Sequence, residues 1–394
     1  MRHVSRQSAF GRIGGAEVAI LISMSLVGAG IMWFPGDIAK VAGAGVATSY
    51  LVDVAAMIAV SAAIASTVSR HPGQRMLALL WGIVGRSAAR TATVAVAVLD
   101  LGAAIATVAG ACTVMNSVFL PLTPLWVLEV ALMFAVFYSV AQGLEAIGRA
   151  MDVVTPVIWA LILLEFAVVA GQTRQPIDVL VPHVPAVGGW SAVAAGAYTG
   201  VWLFSGLTAM PNICAHLAAS QLPRLRSRLA AGIAFAFGIR GLFLALDLLV
   251  LGVVGMAWYD WPTVSLLRHA RSNVLVNRSG ALAAMLLVIL VWGFVAVRTW
   301  NAAINLQDVF GPQKIRSGQS GPGLRAMPHG RWGVAGALSL IVLLASLAIG
   351  FGESLPALIG TWLDPAAVIL AVLFPLALWA IDSARGDRNR RRAA

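Results

Sequence analysis

Long apolar runs recur from one end of this chain to the other, and many exceed the ~20 residues that a helix needs to cross ~30 Å of hydrocarbon. Residues 46–69, 91–117 and 229–256 are such runs, with only one or two charges in each. In a bilayer only the helix and the closed barrel satisfy every backbone polar group. Barrel strands read as ~10-residue alternating segments, and none is present. Composition agrees: 60% of residues are apolar and 11% charged, at a mean hydropathy of +0.88. A soluble globule carries about twice that charge. The pattern predicts an all-α membrane protein without a soluble domain of any size.

Ten spans follow, at 15–42 (interrupted), 46–69, 91–117, 123–141, 147–170, 188–217 (interrupted), 229–256, 279–307, 332–351 and 364–382. The stretch 74–90 is too short to cross and reads as a helix on the membrane surface. The piece Leu355–Trp362 reads as an outer loop helix or a re-entrant segment. Basic residues test this layout, because cytoplasmic loops carry the excess of Lys and Arg. With the N-terminus inside, twenty fall in inner segments, among them Arg70, Arg75, Arg86, Arg90, Arg224, Arg226, Arg228 and the cluster Arg385 to Arg392. Five fall outside: Lys40, Arg174, Arg268, Arg271 and Arg278. The split requires an even number of spans and both termini in the cytoplasm. It also accounts for the net charge of +11 without a nucleic-acid partner. Cys112 and Cys214 lie in apolar segments without metal-site spacing and read as packing residues. The six histidines are scattered, so neither a metal nor a cofactor is expected. The run from Ala16 to Phe34 is long and lacks a convincing cleavage site, and reads as an uncleaved first helix.

Two spans are unusual. The first contains Gly30 and Pro35, the sixth Gly206 and Pro211, the same interval inside an apolar run. They open the first and second groups of five helices. The chain therefore divides into 1–170, 187–382 and a basic tail at 383–394, and an odd helix number inverts one half relative to the other. Paired Gly/Pro interruptions in two halves point to a transporter binding site. A broken helix exposes N–H groups that hold a carboxylate and C=O groups that hold cations or ammonium groups. The candidate site comprises Ser25, Val27, Gly28, Ala29 and Gly30 with Phe204, Ser205 and Gly206. Gly196 and Gly200 read as close-packing residues.

Charges deep in spans are functional candidates. Asp100, Arg240 and Asp247 are candidates for coupling or gating. Arg240 sits near the midplane, and Asp247 is two turns away, too far for a tight pair. Asp100 is a candidate partner for Arg240, and structural pairing and gating both stay open. Glu165 and Arg298 read as solvated or snorkelling near span ends, and Glu129 stays undecided. Without a nucleophile–base constellation or a phosphate loop, no enzyme is expected.

The stretch Gly28-Ala-Gly-Ile-Met-Trp-Phe-Pro-Gly-Asp-Ile-Ala-Lys-Val-Ala-Gly43, followed by a helix and Arg70-His-Pro72, resembles the spore germination receptor B-subunit family (endospore germination permeases). The Gly-x-Gly-Ile core resembles the first helix of the wider amino acid–polyamine–organocation transporter superfamily. The resemblance implies a LeuT-like fold of ten transmembrane helices in two inverted five-helix repeats, with helices 1 and 6 interrupted. It implies a small-molecule germinant, often an amino acid, held between those helices. It also implies A and C receptor subunits as partners and residence in the inner spore membrane. Many relatives carry an acid just after the glycine of helix 6, where this chain has Leu207 and Thr208. An autonomous ion-coupled amino acid transporter is the alternative.

Overall fold

In the computed structural model the residues described are 13–28, 30–170, 175–199, 201–217, 223–269, 279–311, 330–350 and 359–393. Helices account for nearly all of them. The first rod is α1 (Gly15–Val27) and α2 (Gly30–Ala42), followed by α3 (Val46–Arg70), α4 (Met76–Val84), α5 (Arg86–Val114), α6 (Leu125–Gln142) and α7 (Leu144–Ala170). The second half begins with α8 (Gly189–Tyr198), a 3₁₀ segment (Val201–Ala209) and α9 (Met210–Ala215), and continues with α10 (Leu225–Trp258), α11 (Pro262–His269), α12 (Ser279–Phe310) and α13 (Gly330–Gly350). The last rod runs from Ile359 through α14 (Asp364–Ala367) to α15 (Phe374–Ala393), with π-type turns between. With the short α4 and α11 set aside and each interrupted rod counted once, the described residues form ten rods, five in each half. Segment 355–362 lies largely outside the described residues.

Side-chain distribution is that of a molecule solvated by lipid. Phe134, Ile341 and Leu344 face outwards from α6 and α13, whereas Asp100, Arg240, Asp247 and Arg298 are sealed inside. Trp126, Trp190, Trp258 and Trp362 are exposed near rod ends, where amphipathic rings meet the headgroup layer. Without a hydrophobic drive between helices in lipid, close approach depends on small residues. Helix α5 buries Ala89, Thr93, Val96, Ala97, Asp100, Ala103, Ala104, Thr107, Val108 and Ala111, and this flat face receives α12 along its length.

The rod ends fall into the two groups that the charge pattern separates. At the basic end, Arg75 pairs with Asp308 at 3.1 Å and Arg70 with Asp382 at 3.0 Å, joining α4 to α12 and α3 to α15. At the opposite end, Lys40 reaches Asp260 at 3.4 Å and Gln175 N–H donates to Leu249 O at 2.9 Å. Helix α4 departs from the expected surface helix. Met76, Leu77, Leu79, Leu80 and Ile83 are buried against the bundle, and only an edge at Trp81 and Gly82 is exposed. Its apolar residues cover too much of the helix circumference to lie flat on a membrane with one face wet.

Both broken rods break, at different places. Helix α1 ends at Gly28, whose φ of +37° is a conformation that L side chains rarely adopt. The sixth rod leaves α geometry earlier than expected: Tyr198 ends α8, Thr199 is extended (φ −68°, ψ 121°), and the chain then tightens into the 3₁₀ segment that carries Gly206. Gly200, read from sequence as a packing residue, lies outside the described residues. Gly196 does pack closely: a Cβ there would lie 2.6 Å from Ala42 Cβ and 2.7 Å from Ser49 Oγ. The start of the first rod and the end of the sixth are tied together, with Ile13 N–H donating to His216 O at 3.1 Å.

Helices α10 and α1 approach closely along their backbones. A Cβ on Gly232 would stand 2.5 Å from Ala19 O, whereas one on Gly238 of the same helix meets nothing within 4 Å. Gly232→Leu is expected to destabilise the protein by about 1–3 kcal/mol or more, and Gly238→Ala to be neutral or slightly stabilising. Thermal unfolding of the two variants in detergent checks this.

Candidate ligand site at the helix breaks

The two breaks meet face to face. A Cβ on Gly206 would lie 2.1 Å from Ser25 O, so only glycine lets the 3₁₀ segment touch the end of α1. A Cβ on Gly28 would lie 2.2 Å from the Phe294 ring of α12. Ser25 and Val27 are buried in the same wall, and Ser25 Oγ donates to Ile22 O at 2.8 Å. Ser25, Val27, Gly28, Ser205 and Gly206 are thus brought together as the sequence indicated. Ala29 lies outside the described residues, and for Gly30 and Phe204 only the backbone path is described.

At this junction sits an ion pair. Arg298 of α12 donates through Nη1 to Asp100 Oδ1 at 2.9 Å and to Ser205 Oγ at 2.5 Å. Its Nη2 reaches Ser25 O at 3.5 Å, and its guanidinium lies 4.6 Å from the centre of the Phe294 ring. Asp100 Oδ2 accepts from Asn301 Nδ2 at 2.6 Å, and Asp100 Oδ1 from Thr208 Oγ1 at 3.4 Å. Asp100 and Arg298 are both fully buried. Charges this deep are tolerable only when paired and hydrogen-bonded, and here four helical rods share the pair.

Two expectations need correction. Arg298 does not snorkel: α12 continues to Phe310, about 18 Å beyond it at 1.5 Å per residue, and α5 covers it throughout. Asp100 therefore pairs with Arg298 and not with Arg240. Arg240 instead stacks on the Phe34 ring of α2, 4.1 Å from its centre, with Tyr50 and Asp53 as the titratable groups facing it. Asp247 stands apart from Arg240, as its two-turn spacing implied, and accepts from Thr263 Oγ1 of α11 at 2.6 Å. Glu129 is buried and accepts from Ser346 Oγ at 3.2 Å. The side chain of Glu165 lies outside the described residues.

Sequence reading also missed Asn212, Asn301 and Asn305, which continue the polar cluster. A signal was present. Phe294, Arg298, Asn301, Asn305 and Asp308 follow one another at intervals of four, three, four and three, one stripe of a helix. A polar stripe on an otherwise apolar span faces protein, not lipid.

The architecture is that of membrane transporters. The structure of MhsT in complex with L-phenylalanine superposes with a TM-score of 0.62 at 17% identity, over 93% of this chain and 87% of that one. The substrate-bound outward-open state of a Na⁺-coupled sialic acid symporter gives 0.60 at 10% identity, over 92% and 79%. The fold is therefore LeuT-like, ten helices in two inverted repeats. The model of the spore permease family, spore germination proteins, matches residues 12–317, and this chain belongs to that family. A search of curated proteins finds no match.

Removing one partner of the central pair leaves the other charge buried and alone. Asp100→Asn and Arg298→Met are each expected to cost about 3–5 kcal/mol, and the double variant to cost clearly less than their sum. A double-mutant cycle on thermal stability checks this.

Proposed function

We propose that this multi-pass membrane protein is the permease-like subunit of a spore germinant receptor and binds an amino acid or similar small polar solute at the junction of its two broken helices. The observation that carries the reading is the contact of Gly206 with Ser25 O beside a buried guanidinium. Two interrupted backbones meet there, and unpaired backbone groups are tolerated at that depth only beside protein or a cavity. The first turn of α2 presents N–H groups to a carboxylate. Family membership supports the germination role, and the likeness to MhsT in complex with L-phenylalanine and to a Na⁺-coupled sialic acid symporter supports a small polar ligand. A and C subunits are the partners, the inner spore membrane is the location, and the basic end faces the cytoplasm. The ligand acts by binding one conformation better than another.

The alternative, an ion-coupled transporter working alone, differs in one testable respect. Ser25 O, at the end of α1, is a carbonyl of the kind that a dissolved cation would ligate, and Arg298 already donates to it. With the positive charge built into the protein, ligand binding should not require sodium.

A thermal-stability screen of the purified protein against amino acids, sugars and nucleosides is expected to find at least one stabilising solute, worth about 2.7 kcal/mol at a hundredfold excess over Kd. Stabilisation should be equal in sodium and choline chloride, and absent in Gly28→Leu and Gly206→Leu. Unchanged stabilisation in both leucine variants would remove the site from the breaks. Uptake of the solute by the protein alone in liposomes, driven by a sodium or proton gradient, would favour the transporter.

A further inference from the structure

The polar cluster at the breaks does not end at Asp100. Asn301 takes its amide to Asp100 Oδ2 and its oxygen to Asn212 Nδ2 at 2.7 Å; Asn212 Nδ2 also donates to Asn305 Oδ1 at 2.8 Å. Asn212 Oδ1 then accepts the backbone N–H of Met76, the first residue of α4, at 2.9 Å. Both termini of this chain of bonds have a fixed sense. A backbone N–H only donates and a carboxylate only accepts. Together they fix the orientation of the Asn212 and Asn301 amides between them. Every bond from Met76 N–H through Asn212 and Asn301 to Asp100 therefore donates in the same sense, and Arg298, which donates both to Asp100 and to Ser205 Oγ and Ser25 O, joins this series to the breaks.

Helix α4 is placed to respond. Its first-turn N–H groups have no intrahelical partners, so the Asn212 bond is part of what holds its start. A small, largely apolar cleft of about 40 Å³, part of it open to the surface, is lined by Met76, Leu79 and Leu80 of α4 and by Leu207, Thr208 and Pro211 of the broken rod, so packing on that side of the helix is incomplete. Asn305 adds a second indication: its Nδ2 is buried without an acceptor among the described residues. The relay thus holds a spare donor, which a second arrangement of Asn212 and Asn305 would use.

We propose that Asn212 and Asn301 are positioning residues of a buried relay that makes α4 the reporter of the state of the helix breaks. Its use as an output of ligand binding rests on the function proposed above, but the relay itself is a property of the protein without ligand and is tested as such. The exposed edge at Trp81 and Gly82 then offers partners at the basic face a surface whose seating follows the ligand site.

The test is amide hydrogen exchange on the full chain in nanodiscs, without any ligand. Asp100→Asn, or the milder Thr208→Val should that variant fail to fold, perturbs the break end. Either is expected to speed exchange of the amides at 76–80 about tenfold, the factor that one lost buried hydrogen bond carries, while α6 exchanges as before. Asn212→Asp keeps the acceptor for Met76 N–H but removes both donations upstream. In that background the same break-end variant should leave α4 exchange unchanged. Arg75→Ala, which cuts the separate Arg75–Asp308 pair, should loosen α4 equally in both backgrounds. The relay is overturned if break-end variants leave α4 exchange within twofold of wild type. It is equally overturned if their effect persists undiminished in the Asn212→Asp background. The solute screen is independent, so a failed relay and a failed ligand site give different results.

Discussion

A single buried ion pair organises this molecule. Asp100 and Arg298 lie on the two helices that pack most intimately, and between them they engage the end of α1 and the 3₁₀ segment that replaces the middle of the sixth rod. An interrupted helix in a membrane is a liability, because each exposed carbonyl or N–H must be satisfied by something other than water. A guanidinium with five donors meets that need at the carbonyl side of the break. Its own charge is met by Asp100, and the carboxylate's remaining capacity by Asn301 and Thr208. The break can therefore exist without a ligand.

The consequence is mechanical as well as electrostatic. Ser25 and Ser205 belong to the two broken rods, and Asp100 and Arg298 to the uninterrupted helices beside them. Any movement of the broken rods against the rest must rearrange the bonds that Arg298 makes. Ile13 and His216 fasten the start of the first broken rod to the end of the sixth, so these ends move together. A germinant sensor needs a small rearrangement at its ligand site to become a change at a face that other subunits touch. The stripe on α12 from Phe294 to Asp308, about 21 Å long at 1.5 Å per residue, joins those two places through protein alone.

Much of the fold was legible because lipid is a simple solvent. Apolar run lengths located the ten rods, and the placement of arginines grouped their ends correctly. The matched Gly-to-Pro intervals picked out the two rods that break, and Ser25, Gly28, Ser205 and Gly206 do converge. What escaped were pairings that depend on which helices lie side by side. Depth along a span suggested Asp100 with Arg240, but lateral neighbours decide, and α5 lies against α12. Arg298 read as a snorkelling residue because its helix appeared to end sooner than it does. The early end of α8 at Tyr198 was hidden because a glycine fits both helix packing and helix breaking, and Gly196, just before the end, packs. Asn212 carried no signal of its own, since its partners lie 89 and 93 residues further on.

The most direct test of the ligand site is a structure of the protein with a stabilising solute bound. If the breaks are the site, the solute lies between Gly28 and Gly206, with its carboxylate or equivalent acceptor at the first turn of α2 and Arg298 still paired with Asp100. A solute resting instead in the apolar cleft beside α4, or one that displaces Arg298 from Ser25, would contradict the account.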